Sequence, residues 1–365
     1  MQRAVVLAIA LITACTSVTP VVGPTPSPTP DSVALARDLF ARRAAAIQTS
    51  DFAAFQSTYD TRPPTFARCQ KELYDLHDVR TYTVQRVDVW RGYYRIIATG
   101  SFGASRFFAR LVDGALQLTE PQPSEVGESR TRSAGPIVVN YWAIDDEIGE
   151  GMTIAAKRAY DFALGQAPTT PPVPFTVTLL PTRLFMTGQC WVAGAAGITN
   201  PAAPVISVPT YLATFDGAFA IPSPTTQAVL MHEALHWLQG QIAYGATTSA
   251  PWWMTEGWPD RVAGIDRGGT LRVLCSVGFP SAAALFRHGV DLLDQPETID
   301  AEKQYAAANS MVDFLFATYG KDRYWELFSS AITFIDNERA FASVLDTTQA
   351  RFYDAWLAWV KRRYC

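Results

Sequence analysis

Histidine is scarce in this chain: 365 residues hold only four. Charge is sparse too, at 18% Asp, Glu, Lys and Arg, with a formal net charge of −4 and no basic tract. A nucleic-acid surface needs Lys and Arg clustered on one face, so that class of partner is excluded. Five cysteines occur without one CxxC spacing, which argues against a thiolate zinc site or a thioredoxin-like role. Long apolar runs are absent beyond the first fifteen residues, which excludes a polytopic membrane protein. Apolar residues, by contrast, make up 48% of the chain, enough to bury substantial cores. At about 100–200 residues per domain, this length predicts two domains or one large one.

The N-terminus carries one positive charge at Arg3, an apolar run from Ala4 to Ile12, and then Thr13-Ala14-Cys15. That is the build of an export signal, too short to span a bilayer. Ile12-Thr13-Ala14-Cys15 resembles the bacterial lipobox. The resemblance implies that residues 1–14 are a lipoprotein signal peptide and that Cys15 is lipidated. The alternative is an ordinary signal peptide that happens to contain Cys15. Residues 15–30, rich in Pro, Thr and Ser, cannot pack a core and extend like polyproline II, as a tether would. The expected location is therefore outside the cytoplasm, lipid-anchored at the bacterial membrane and facing outward. An oxidising exterior permits disulfides among Cys69, Cys190, Cys275 and Cys365. Four cysteines allow three pairings; Cys190 with Cys275 is the first choice, because both fall in one expected domain.

Residues 31–59 read as two helices, the second capped by Asp51, and a third follows Pro63-Pro64. Segments 79–90, 93–100, 105–112 and 115–119 are short, β-branched or aromatic, and divided by Gly or Asp-Gly turns. Helices followed by an antiparallel meander define an α+β unit over 31–120. Its element order resembles the SnoaL-like (nuclear-transport-factor-type) cone, which implies a small-molecule pocket with Asp75, His77 or Asp78 as candidate lining; more often such residues end a helix. Residues 121–135 are polar and free of periodicity, which reads as a linker. Over 136–365 a strand at 137–142, a helix near 145–165 and a strand at 173–180 come first. Short apolar segments at Cys190–Ala196 and Pro204–Val208 would complete a small sheet, and from Pro224 onward the chain is mainly helical.

The chemistry concentrates in 225–241, TTQAVLMHEALHWLQGQ, a helix with Thr225 or Thr226 as its expected cap. Positions i and i+4 share one helix face, so His232 and His236 can reach one metal ion. Glu233 then falls beside the metal without ligating it, where a general base would act. Glu256, twenty positions after His236, completes a two-His, one-Glu zinc set with a fourth position open. Asp260, one turn further, can accept the spare ring N–H of a ligating His. Chance is a poor explanation: with four His and 12 Glu, the expected number of accidental HExxH motifs is on the order of 0.001. The bland reading, two surface His on an amphipathic helix, conflicts with Leu230, Met231, Leu235, Trp237 and Leu238, which would bury much of that helix.

HEALHWLQG followed by WWMTEGW resembles the gluzincin metallopeptidases, whose pattern is HExxH and a Glu ligand about twenty residues on. The gap is similar to that of thermolysin. The Trp-Met-Thr-Glu-Gly wording is similar to the aminopeptidase-N relatives and peptidase-MA-like proteins. Tyr305, heading a helix that ends in Tyr319-Gly320, matches the shape of the catalytic-Tyr helix of those relatives. The resemblance implies a zincin (thermolysin-like) domain, one Zn²⁺ held by His232, His236 and Glu256, Glu233 as base and Tyr305 as oxyanion donor. His288 is the weaker alternative to Tyr305. Two departures stand out. Pro259 replaces the usual Ala and is expected in the first turn of its helix. No Gly-Ala-Met-Glu-Asn element precedes the motif, and residues 194–208 occupy its place without a Glu to hold a substrate α-amine. The implied activity is zinc-dependent peptide-bond hydrolysis by an endopeptidase acting on peptide or protein. The alternatives are a non-catalytic or vestigial zinc-site lipoprotein that binds a ligand or partner, and a cell-wall amidase using Trp252, Trp253 and Trp258 for sugar stacking.

Overall fold

The structure, a computed structural model, describes residues 31–75, 77, 79–166, 173–183, 198–200, 205–243, 250–287, 299–334 and 337–365. Cys15, Asp78, Cys190 and His288, with the signal and tether, therefore lie outside the described residues. Helices α1 (Asp31–Gln48), α2 (Phe52–Gln56) and α3 (Pro64–Asp75) come first. Asp51 caps α2 as expected, its carboxylate accepting from Ala54 N at 2.9 Å. Strands β1 (Thr83–Trp90), β2 (Tyr93–Gly100), β3 (Gly103–Val112) and β4 (Ala115–Thr119) form an antiparallel meander in chain order. Its hairpins at Arg91-Gly92 and Asp113-Gly114 hold positive φ at both central residues, the turn geometry whose twist suits paired strands. Leu39, Phe55, Ile96, Ala98, Ala109 and Leu116 are fully buried between these helices and the meander.

The second sheet is mixed, in the order β5-β6-β7-β9-β8. Strands β6 (Ile137–Trp142), β7 (Thr176–Leu180) and β9 (Val205–Pro209) run parallel, while β5 (Ser129–Ala134) and β8 (Ile198–Asn200) are antiparallel edges. Helix α4 (Asp146–Leu164) lies between β6 and β7 in the chain. The expectation of a linker over 121–135 needs correction, because β5 pairs with β6 along its whole length. Its sequence SRTRSA is almost wholly exposed, so it carries no apolar alternation by which a strand is recognised. Among the described residues eight helices follow: α5 (Pro224–Ile242), α6 (Trp252–Val262), α7 (Gly268–Val277), α8 (Ala282–Phe286), α9 (Ile299–Tyr319), α10 (Asp322–Thr333), α11 (Asn337–Leu345) and α12 (Gln349–Tyr364). The α+β class and the helical C-terminal half agree with the sequence reading. Among the described residues, no helix is long and apolar enough to cross a membrane.

The meander is tied to the second sheet by buried polar contacts. Arg106 on β3 donates to Asp145 at 2.7 Å, to the Ile144 carbonyl at 2.8 Å and to Thr210 at 3.2 Å. Glu120, after β4, pairs with Arg183, after β7, in a nearly solvent-free contact. Buried charges persist only when paired and hydrogen-bonded, and breaking one such pair strands the other charge.

The expected Cys190–Cys275 pair does not form. Cys275 on α7 bonds Cys365, the residue after α12, across 90 positions of sequence. The pairing is set by where α12 returns against α7, which no local pattern encodes. Cys69 is also disulfide-bonded.

Candidate metal centre

Helix α5 starts earlier than its composition suggested. Ser223, not Thr225 or Thr226, is the N-cap, accepting from Thr226 N at 3.2 Å, with Pro224 at the first helical position. Thr226 instead uses its hydroxyl across the loop, donating to the Thr214 carbonyl at 2.9 Å. The helix is buried on most sides: Leu230, Ala234, Leu235, Trp237 and Leu238 lie in the core, and His232 and Glu233 are buried with them.

Across from it, α6 carries Glu256 and Asp260 one turn apart. The helix begins at Trp252, so Pro259 is an interior residue rather than a first-turn one. It removes one helical hydrogen bond, yet the helix continues to Val262 and Asp260 still faces α5. Trp252, Trp253 and Trp258 are buried, so they pack the site helices, as aromatic residues beside this motif more often do, and the sugar-stacking alternative finds no exposed rings there. Trp253 stacks on Phe352 and Trp258 on Tyr324. None of the three is available to a sugar.

His232, His236 and Glu256 converge. Nε2 of His236 lies 2.9 Å from Nε2 of His232 and 3.2 Å from Oε2 of Glu256, and the third edge, His232 Nε2 to Glu256 Oε2, is 3.6 Å. Zinc with bonds of about 2.0–2.1 Å in tetrahedral geometry sets its donors about 3.3 Å apart. The observed edges bracket that length, and two neutral imidazoles with one carboxylate are a donor set zinc favours. The residues fit the ion.

Both imidazoles are held from behind. Nδ1 of His232 lies 3.1 Å from Asp260 Oδ1, an ion-pair contact rather than a well-aligned hydrogen bond. Arg267 grips the same carboxylate, with Nε 2.8 Å from Oδ2 and a second contact at 3.3 Å. Nδ1 of His236 donates to Gln239 Oε1 at 3.2 Å, and the Gln239 amide donates to Tyr324 Oη at 2.7 Å and to the Met254 carbonyl at 3.2 Å. These contacts favour the tautomer that leaves Nε2 free for a metal. Glu233 is held by Thr199 of β8, whose hydroxyl lies 2.7 Å from Oε2 and 2.9 Å from the Glu233 carbonyl.

Tyr305 lies in the second turn of α9 rather than heading it, because the helix already begins at Ile299; it packs edge-on to Trp252 at 5.2 Å and under the Arg267 guanidinium at 5.4 Å. Burial, with Glu256, Asp260 and Glu233 nearby, pushes its hydroxyl well above the usual tyrosine range. It stays protonated and so keeps a proton to donate. His77 is exposed and bonds its own turn, with Nδ1 3.1 Å from the Asp75 carbonyl. Asp75 pairs with Lys71 at 2.5 Å, so both behave as helix-end residues. The sequence reading missed Gln239, Arg267 and Thr199. Only Gln239 left a signal, three positions after His236 on the same face.

Burial disfavours charge on His232, but the Asp260 and Glu256 carboxylates outweigh it and hold the ring up to about 10. His236 is raised by Glu256, while both His hold Glu256 below the usual carboxylate range against its burial. The metal-free site therefore binds protons where it would bind a cation, so metal and protons compete. Acidification should release zinc, with apparent affinity falling up to about tenfold per pH unit for each proton displaced. Dialysis against chelator at pH 8 and at pH 5 measures it, and equal retention at both would contradict this electrostatic account. The His232 contribution to metal-free stability has the opposite sign. It is fully present below the ordinary value of 6.5 and is lost as pH rises through about 10.

No protein-family model matches the chain, and no curated protein matches it. It is similar to solved structures of M1 zinc metallopeptidases at low identity. One, from Deinococcus radiodurans, is 16% identical with a TM-score of 0.36, over 72% of this chain and 61% of that one. A mutant two-domain M1 zinc metallopeptidase bound to L-arginine is 15% identical with a TM-score of 0.34, over 70% of this chain and 60% of that one. The chain thus matches about three fifths of the length of each.

Proposed function

We propose that this chain is a zinc-dependent endopeptidase. The observation that carries the reading is the convergence of His232 Nε2, His236 Nε2 and Glu256 Oε2, with the Glu233 carboxylate held one residue away. Zinc at these three ligands supplies Lewis acidity toward a peptide carbonyl and toward water. Glu233 accepts a proton from the attacking water and passes it to the leaving amine. Tyr305, kept protonated, donates to the oxyanion that develops at the carbonyl, a contact worth roughly 2.7–4 kcal/mol where such donors have been removed. Asp260 and Gln239 keep the imidazoles oriented through each cycle.

The endopeptidase choice is supported by β8. Its residues Ile198-Thr199-Asn200 place no carboxylate there to hold a free α-amine, and Thr199 is engaged with Glu233. In the same reading, residues 31–120 are a SnoaL-like unit that buttresses the 136–365 catalytic unit. Cys15 anchors the exported chain to the outer face of a bacterial membrane.

Metal content together with cleavage of a mixed peptide library, with and without chelator, tests the reading. One zinc per chain and internal cleavage that chelator abolishes are expected. Single residues trimmed from N-termini would replace endopeptidase by aminopeptidase, and release of peptides from cell-wall glycan would replace it by amidase. Bound zinc with no cleavage of any substrate would leave a non-catalytic binding lipoprotein.

A further inference from the structure

Among the described residues, Thr199 is the residue of the sheet whose side chain is seen to reach Glu233. It sits on the edge strand β8, opposite Ile206 of β9, and is half-buried. Its single hydroxyl proton faces two acceptors of one residue, Glu233 Oε2 at 2.7 Å and the Glu233 main-chain oxygen at 2.9 Å. The two contacts tie the Glu233 carboxylate and its own carbonyl to one hydroxyl. Oε2 is thereby engaged, while Oε1 makes no hydrogen bond among the described residues.

We propose that Thr199 is a positioning residue: its hydroxyl selects one rotamer of Glu233 and leaves Oε1 as the oxygen that meets the proton. The kinetic part of this inference rests on the peptidase reading, whereas the rotamer part does not. A glutamate has three side-chain torsions, and a base displaced by about 1 Å loses on the order of a hundredfold in rate. The β-branch of Thr stiffens χ1, so the hydroxyl is itself held in place by its strand. The sheet thus fixes the base of a helix it does not belong to.

Thr199→Val keeps the shape and the strand propensity but deletes the donor, and Thr199→Ser keeps the donor. In the zinc-loaded full chain, Thr199→Val should lower kcat by about 10–100-fold, with KM and zinc content unchanged. Thr199→Ser should recover to within about fivefold of the parent. Crystal structures of the zinc-loaded parent and Val variant give a readout independent of activity: one Glu233 rotamer in the parent, several in the variant. Unchanged kcat, a loss that appears in KM or in zinc content, or a single Glu233 rotamer retained in the Val variant would overturn the proposal. If the parent cleaves no peptide, the peptidase reading fails by itself, and the rotamer comparison still decides the role of Thr199.

Discussion

Glu233→Gln leaves zinc bound and lowers hydrolysis by roughly 10²–10⁴-fold, the range a positioned general base contributes. The amide is nearly isosteric with the carboxylate, and its oxygen can still accept from Thr199, so the local geometry of α5 should survive. The three ligand atoms belong to His232, His236 and Glu256, and none is altered. What disappears is the ability to take a proton. Equal zinc content with peptidase activity lost is the expected pair of results, measured by metal analysis and by the rate on any library peptide the parent cleaves. Undiminished hydrolysis would remove Glu233 from the mechanism.

Gly257→Ala separates two effects of opposite sign. In an exposed helix interior, replacing Gly by Ala stabilises by roughly 0.5–1 kcal/mol, since Gly has more backbone entropy to lose. At Gly257 a Cβ would lie 2.3 Å from the Ala308 carbonyl oxygen and 2.5 Å from its carbon, both backbone atoms of α9. No flexible side chain is there to yield, so α6 must move away from α9. Overpacking of this kind costs about 1–3 kcal/mol or more, which outweighs the propensity gain. Glu256 is the preceding residue, and any displacement of α6 shifts a ligand whose position must hold within about 0.5 Å. The variant should melt lower than the parent and lose zinc to chelator faster. A higher melting temperature would mean that α6 and α9 do not cross this closely. Ala306, Ala307 and Ala308 are fully buried, so α9 presents small side chains at the same crossing.

The candidate ligands were legible because their chemistry is local. Two His four positions apart with a Glu between them need only a helix to converge, and the apolar residues around them predict that helix. Glu256 and Asp260 were legible through spacing and wording shared with known metallopeptidases. Gln239 lies within one turn of His236 and was readable in principle. The meander was legible for a different reason. Its strands are short runs of β-branched and aromatic residues, and Gly or Asp-Gly turns mark their ends. β5 was not, because a strand exposed on both faces has no apolar period to read.

What the amino-acid sequence determined by itself is the α+β class, the helix that carries HExxH, and the three side chains, His232, His236 and Glu256, that converge as a candidate metal site. Tertiary structure alone decided that Arg267 stands behind Asp260, that Thr199 holds Glu233, that Cys275 meets Cys365, and that Gly257 must be glycine. The physical reason is range. Helical spacing and strand alternation are properties of neighbouring residues, so they are written in neighbouring letters. Contacts between Thr199 and Glu233, or between α6 and α9, depend on how whole elements pack. No local pattern records that packing.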